Sequence, residues 1–540
     1  MTDLLAALAL LAGFALCVLG LALTAAVLGR RVFGMVEDGI ERWAVSTSFG
    51  LALLSCLGFF LGLAGWLRPG PVLLAAVGIH LLGLPAWREL ARDFGRVRRN
   101  PRVLVLAAAV LAPSALLALY PPTAFDATLY HLPYVKAFVK SGGVPFLADL
   151  RFPVFPQANE ILFAGVMLFG PDVAAHGVQW LATVLTAALL WIWGRDAFGA
   201  PAGGLAAAVY LGNPIVASLS GTAYVDPGLT LFVTAALFSL DRWRGSGERR
   251  WLALAALFAA SAAAVKYLGL FFLALAGGAA LLGGMPARPW PVRWRDTALF
   301  VGIAALAVVP WYGRIAFHTG NPVFPFFPEV FGSSPWDPLR FHSFLSTGEG
   351  GAGARAVLLR LAALVRLPWD LVFERQRYNW HPPLSPIYLA MLPLALAAAV
   401  RDGRGRLLLA VAAVYSLVCF SLPPDARYFL PVLPLVSLAV AGGLRPFVNR
   451  RLWIAGLCAG CLLPGWLYAL HRIERQGPVP LTPEAREAYL LEKLPVYPAL
   501  SWLNRTRGSD YTVWALDAER MAWFARGRFL GDWIGPASYG

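Results

Sequence analysis

The sequence predicts an all-α polytopic membrane protein with about fourteen transmembrane helices, within a range of roughly eleven to fourteen. Three observations predict it. The 540 residues are 59% hydrophobic and 14% charged, with a mean hydropathy of +0.64, whereas a soluble domain carries about 25% charge. Apolar runs of roughly 18 or more residues, the length that crosses hydrocarbon at about 1.5 Å per residue, recur along nearly the whole chain. The arginines gather in short loops between those runs. The runs are rich in Ala, Leu and Gly and do not alternate with polar residues, which argues against a β-barrel.

In chain order the spans fall near residues 4–28, 45–67, 71–87, 103–120, 172–193, 201–219, 228–240, 251–265, 267–284, 298–312, 384–400, 406–420, 428–443 and 452–470. The first follows Met1-Thr2-Asp3, lacks a basic n-region and is too long for a cleaved leader, so it is expected to be retained. The spans at 71–87, 228–240 and 251–265 are short for a crossing. Arginine clusters occur at Arg88–Arg102, at Arg242, Arg244, Arg249 and Arg250, at Arg288, Arg293 and Arg295, at Arg401, Arg404 and Arg406, and at Arg445, Arg450 and Arg451. With these spans every cluster falls on one side, which the positive-inside rule makes cytoplasmic, and both termini lie outside. The net charge of +15 therefore reads as membrane orientation and not as nucleic-acid binding, since no basic stripe interleaves with aromatics. Cys17, Cys56, Cys419, Cys458 and Cys461 all sit in apolar runs. Cys458 and Cys461 lack the second pair that a zinc site requires.

Three regions follow. Residues 1–102 hold N-terminal helices, residues 103–470 the main transmembrane region with its long outer loops, and residues 471–540 a small extracytoplasmic part. Long outer loops run over 120–159 and 313–383, and loops of that length are usually functional. Within the second, Ala356 to Phe373 has the pattern of an amphipathic surface helix. In the tail, Thr482-Pro483-Glu484 supplies a cap, an N1 proline and an early carboxylate for a helix.

The polar residues at the outer rim are the candidates for chemistry. Asp126 follows Pro121-Pro122 at the end of the fourth span, and Tyr130, His131, Lys136 and Lys140 share its short helix. Asp126 could simply cap that helix. Asp226, before Pro227, is open to the same bland reading. Two carboxylates on one face could instead hold a divalent cation (Mg²⁺, Mn²⁺ or Zn²⁺), or divide base and metal roles. Lys266 is the single charge in some 33 apolar residues, a length that forces a turn there. Such a group is a functional hypothesis by default, with snorkelling as the alternative. Arg427 and Tyr428 open the thirteenth span. Arg427 suits bidentate phosphate binding or a salt bridge to Asp425. Glu160 in FPQANEILF begins a short apolar stretch.

Transfer of a sugar from a lipid phosphate needs a carboxylate base, cations for the departing phosphate and an apolar groove for the carrier. In the order of these landmarks, Asp126 in a long outer loop, YVDP at Asp226, AVKYLGL at Lys266, GNPVFPFF at Gly320 and RYFLPVLP at Arg427, the chain resembles the GT-C superfamily of membrane glycosyltransferases. The likeness is to the group with protein mannosyltransferases and the bacterial aminoarabinose transferase, and it covers roughly residues 103–445. The resemblance implies a polyprenyl-phosphate-sugar donor, an acceptor lipid, glycan or protein, and inversion at the anomeric carbon in the cell membrane, on the extracytoplasmic face. It further implies that Asp126 is the general base, Asp226 the second acid or metal holder, and Lys266 and Arg427 the phosphate contacts. Tyr130, His131, Lys136, Glu160 and Tyr428 would be further substrate contacts. The sequence has Asp126-Ala127 where many relatives have paired acids, and three spans precede the family's usual first helix. A flippase for lipid-linked sugars, or a surface-polysaccharide polymerase or ligase, is the alternative. A flippase would call for midplane charges and repeated halves, which the sequence lacks.

Overall fold

The computed structural model describes residues 2–32, 39–98, 101–150, 152–282, 289–332, 334, 336, 354–445, 451–516 and 518–531. The chain is a multi-pass helical membrane protein, and each of the apolar segments above carries helix. The first fourteen α-helices are α1 (Thr2–Val32), α2 (Gly39–Leu63), α3 (Pro69–Leu82), α4 (Leu84–Arg98), α5 (Pro101–Leu117), α6 (Leu132–Ser141), α7 (Ala158–Met167), α8 (Ala174–Phe198), α9 (Ala200–Leu211), α10 (Pro214–Ser220), α11 (Asp226–Ser246), α12 (Arg249–Val265), α13 (Gly269–Leu282) and α14 (Trp290–Thr319). Among later helices, Gly403–Phe420, Val432–Gly443 and Arg451–Gln476 complete the bundle.

Among the described residues, 6 helices are long and apolar enough to cross a membrane, or up to 8 if two bent pairs each count as one span. The pairs are α3–α4, bent by 75°, and α9–α10, bent by 72°. Length and composition thus support fewer crossings than the fourteen expected. The physical reason lies in where the helices sit. α11 and α12 are buried along nearly their whole length, so they face protein rather than lipid and can end in charged residues such as Asp241 and Arg249. Two of the interior hydroxyls of α11 are satisfied locally: Thr230 donates to the carbonyl of Asp226 and Thr234 to that of Thr230. Elsewhere close packing depends on small residues. A Cβ on Gly29 of α1 would lie 1.8 Å from the Ser46 carbonyl oxygen of α2, so the two backbones touch there only because no side chain intervenes.

Ion pairs tie the basic ends of these helices together: Arg30 with Asp93 at 2.7 Å, Arg242 with Glu41 at 2.8 Å and Arg249 with Asp296 at 2.8 Å. The expected arginines at 288 and 450 lie outside the described residues.

The C-terminal part contains helices Pro483–Lys493 and Tyr497–Arg507 and a parallel pair of short strands, β1 (Thr512–Ala515) and β2 (Arg528–Gly531). The strands depart from the all-α expectation. At four residues each, they leave no readable alternation in the sequence. Thr482 caps its helix as expected, accepting from the Ala485 amide at 3.2 Å. The module rests on the first outer loop. Trp523 N–H donates to the Thr128 carbonyl at 3.1 Å, and Arg528 pairs with Asp149 at 2.8 Å. Lys136 donates to the carbonyls of Trp523 and Ala525.

Lys136 was expected to contact substrate, and the structure directs its ammonium into this seam instead. Burial, with help from Lys140 and Arg526, pulls its pKa down to about 8. The folded state therefore binds fewer protons than the unfolded chain between about pH 8 and pH 10.5, so this residue's contribution strengthens as pH rises across that window. Lys136→Met is expected to loosen the module by about 1 kcal/mol, the worth of an ordinary hydrogen bond, because the burial of the ammonium offsets the extra strength of a charged donor. Faster proteolysis between residues 477 and 531, with the membrane bundle intact, is the readout.

Candidate active site

Asp126 opens a π-turn, Ala127–His131, that runs directly into α6. Its side chain makes no capping bond. Arg427 Nη1 donates to Asp126 Oδ2 at 2.7 Å, and the Tyr130 hydroxyl donates to the same oxygen at 3.1 Å. The capping reading therefore fails, and the side chain is committed to the centre of the molecule. The other carboxylate oxygen of Asp126 has no hydrogen-bond partner among the described residues.

Arg427 lies in a 3₁₀ turn, Ala426–Phe429, whose cap is Asp425. Asp425 accepts from the Arg427 amide at 3.0 Å and from its guanidinium at 2.7 Å. The salt bridge to Asp425 is thus a real contact, and the same planar fork also reaches Asp126, since it can serve two carboxylates at once. A third, Asp226, lies 3.9 Å away. Asp226 begins α11, is 1% exposed and receives Lys266 Nζ at 2.9 Å. Lys266 occupies the turn foreseen between α12 and α13, extended at φ −158°, with its ammonium 4.9 Å from the Tyr428 ring centroid. It turns inward, toward Asp226, rather than snorkelling outward.

The second outer loop closes the cluster. His381 Nε2 is 3.4 Å from Asp425, and the Asn379 amide donates to Asp425 at 3.2 Å. Tyr224 lies beneath Arg427, its ring centroid 4.6 Å from the guanidinium carbon, and its hydroxyl accepts from the Asp126 amide at 3.3 Å. Three carboxylates thus share two permanent cations, leaving the cluster one negative charge in excess.

The electrostatics follow from these pairings. Burial raises the Asp126 carboxyl, but Arg427 and His131 outweigh it and hold the group below its usual range. Burial likewise opposes the Asp425 charge, and Arg427 and His381 overcome it, leaving that carboxyl well below the usual range. Burial lowers Arg427, whereas Asp126, Asp425 and Asp226 raise it further, so the guanidinium ends well above its ordinary value. Lys266 is raised too, since Asp226 outweighs its burial. All four stay ionised near neutral pH.

These groups face a cavity of about 410 Å³. Its polar wall carries Asp126, Tyr130, His131, Glu160, Lys266 and Arg427, with Tyr428 at the side. Its apolar wall is formed by residues such as Phe155, Tyr267, Phe271, Phe326 and Val418. Two grooves of similar volume lie elsewhere, one along α1 to α3 and α7 and one near Arg404. The second holds one carboxylate, Asp241, paired with Arg404 at 3.2 Å, and neither gathers several carboxylates with cations. Among the expected residues, Asp126, Asp226, Lys266, Arg427, Tyr428, Tyr130, His131 and Glu160 come together, and Lys136 does not. Sequence reasoning missed Tyr224, Asn379 and His381, and saw Asp425 only as a partner for Arg427.

The two acids expected to hold a divalent cation are each engaged by a protein cation, while Asp226 Oδ2 has no hydrogen-bond partner among the described residues. The place between Asp126 and Asp226 is spanned by the Arg427 guanidinium, and Asp226 is already paired with Lys266. No group of three His, Cys, Asp or Glu side chains suited to a metal occurs among the described residues.

The fold has counterparts among solved membrane-protein structures. ArnT from Cupriavidus metallidurans in the apo state matches it at a TM-score of 0.51 and 15% identity, over 82% of this chain and 88% of that one. The same protein bound to undecaprenyl phosphate matches at 0.50 and 14%, over 80% and 86%. Residues 157–312 match the family described as dolichyl-phosphate-mannose-protein mannosyltransferase. In sequence, the chain is 29% identical over 278 residues to the undecaprenyl phosphate-alpha-4-amino-4-deoxy-L-arabinose arabinosyl transferase of Pseudomonas paraeruginosa, covering 48% of this chain and 47% of that protein. The Pseudomonas aeruginosa transferase of the same name is 27% identical over 281 residues, covering 49% and 48%. The chain spans about half the length of the curated relatives it matches.

Proposed function

We propose that the protein is an inverting glycosyltransferase that moves a sugar from a polyprenyl-phosphate donor to an acceptor on the extracytoplasmic side of the cell membrane. The observation that carries this reading is the convergence of Asp126, Asp226, Lys266 and Arg427, residues from four separate elements, on one cavity with an apolar wall. The apolar wall suits the start of a lipid tail. Lys266 and Arg427 neutralise the phosphate as the bond from its oxygen to the anomeric carbon breaks. The acceptor oxygen attacks that carbon from the opposite face, and its proton passes to the uncommitted oxygen of Asp126. Asp226 and Asp425 hold the two cations in place before the donor arrives. The Arg427 guanidinium spans the two acids and supplies positive charge between them. The outward placement of the site rests on the arginine-rich loops at the other end of the bundle.

Mass spectrometry of lipid retained through purification provides the test. A polyprenyl phosphate, bare or carrying a sugar, is the expected find, and its absence under conditions that keep other lipids bound would count against the proposal. Lys266→Ala is expected to weaken undecaprenyl phosphate binding by about tenfold or more, the loss of one charge-assisted contact. Unchanged affinity in that variant would assign Lys266 to Asp226 alone.

A further inference from the structure

The cavity has a second polar pole that phosphate chemistry leaves unused. His131 Nδ1 lies 2.6 Å from Glu160 Oε1, and the two side chains are 6% and 2% exposed. They come from different elements, the π-turn before α6 and the first turn of α7, and both line the cavity. The second oxygen of Glu160, Oε2, is buried without a hydrogen-bond partner among the described residues. A buried carboxylate oxygen left without a donor carries a desolvation cost that a donor would relieve. A packing role would be served more cheaply by an apolar side chain at this position. What the oxygen lacks is a hydrogen-bond donor.

The surroundings restrict what that donor can be. A phosphate is excluded, because Glu160 would repel it. A lipid tail is excluded, because it offers no donor. The neighbouring wall is aromatic: the Tyr130 ring lies 4.3 Å from the His131 imidazole, and Phe155 packs edge-on against Tyr130 and against Tyr267. A carboxylate beside aromatic faces suits a pyranose or pentose ring, whose hydroxyls donate while its C–H faces lie on the rings. We propose that Glu160, aimed by His131, binds hydroxyls of the donor sugar, so that the cavity has a phosphate pole at Lys266 and Arg427 and a sugar pole at Glu160. Asp126 joins the two, since it shares its helical segment with His131 and its ion pair with Arg427. Glu160 is then a specificity-determining residue and His131 a positioning residue.

This inference rests on the transferase reading, and the test separates the two. Affinities are measured in nanodiscs for bare undecaprenyl phosphate and for the same lipid carrying glucose, mannose or 4-amino-4-deoxy-L-arabinose. The wild type is expected to prefer at least one sugar-bearing lipid over the bare one by about tenfold. Glu160→Met is expected to erase that preference and Glu160→Gln to reduce it, while bare-lipid affinity stays within about twofold and so reports an intact fold. Equal weakening of bare and sugar-bearing lipids, a preference that survives in Glu160→Met, or a wild type with no preference would overturn the sugar pole. A wild type that fails to bind even the bare lipid would overturn the transferase reading and the sugar pole with it.

Discussion

Asp126→Asn is expected to bind bare polyprenyl phosphate about tenfold more tightly than the wild type, while losing donor turnover by about 10²- to 10⁴-fold. The two effects have opposite signs because Asp126 plays two parts. In the resting site its carboxylate competes for the Arg427 guanidinium at 2.7 Å. Three carboxylates already share two cations there, so an entering phosphate must displace one of them. Replacing Asp126 by its neutral isostere removes the competitor and the surplus negative charge together. It also removes the oxygen that accepts the acceptor's proton. Release of polyprenyl phosphate from labelled donor measures turnover, and lipid titration measures affinity. Loss of both together would make Asp126 a structural residue, and undiminished turnover would remove it from the chemistry.

Arg427→Gln is expected to be the most damaging single change. The side chain is 6% exposed, and its removal leaves Asp126 and Asp425 facing each other without their shared cation. Breaking a buried pair by deleting one partner costs about 3–5 kcal/mol, enough to lower the yield of folded protein. Arg427→Lys separates stability from function. A lysine restores a positive charge but cannot reach Asp126, Asp425 and a phosphate at once with a rigid fork. The fold should survive, with melting within a few degrees of the wild type, while turnover falls about 100-fold or more. A Lys variant that transfers normally would show that only the charge at this position matters. Because Arg427 holds Asp126 and Asp425 below the ordinary carboxylate range, their pairing contributes stability above that range, lost only as pH falls through the depressed values. Wild-type stability should accordingly owe no slope to the titration of these two carboxylates between about pH 5 and pH 8.

The sequence made the fold class legible because lipid imposes a simple rule on composition, and apolar runs separated by arginine are its direct result. It made Lys266 legible for the same reason, since an isolated charge in so long an apolar stretch demands a partner. That partner, Asp226, stands 40 positions earlier on the neighbouring helix. The number of crossings was less legible, because α11 and α12 are shielded by other helices and hydropathy cannot tell a lipid-facing residue from a protein-facing one. Tyr224, Asn379 and His381 gave no signal of their own: a tyrosine beside YVDP and a histidine after Asn379-Trp380 are ordinary rim residues until the loop folds over Arg427. Lys136 misled for the opposite reason. Its helix belongs to the site, but its partners at Trp523 and Ala525 lie at the far end of the chain, and no local pattern announces a contact of that range.

The central claim is that a lipid phosphate lies between Lys266 and Arg427, and it is tested most directly by locating the phosphorus of undecaprenyl phosphate bound to the purified protein in nanodiscs, by electron cryomicroscopy. The account predicts phosphate oxygens about 2.7–2.9 Å from both cationic groups, with the Arg427–Asp126 pair opened. A phosphate resting instead in the groove along α1 to α3, with the Lys266–Asp226 and Arg427–Asp126 pairs undisturbed, would contradict it.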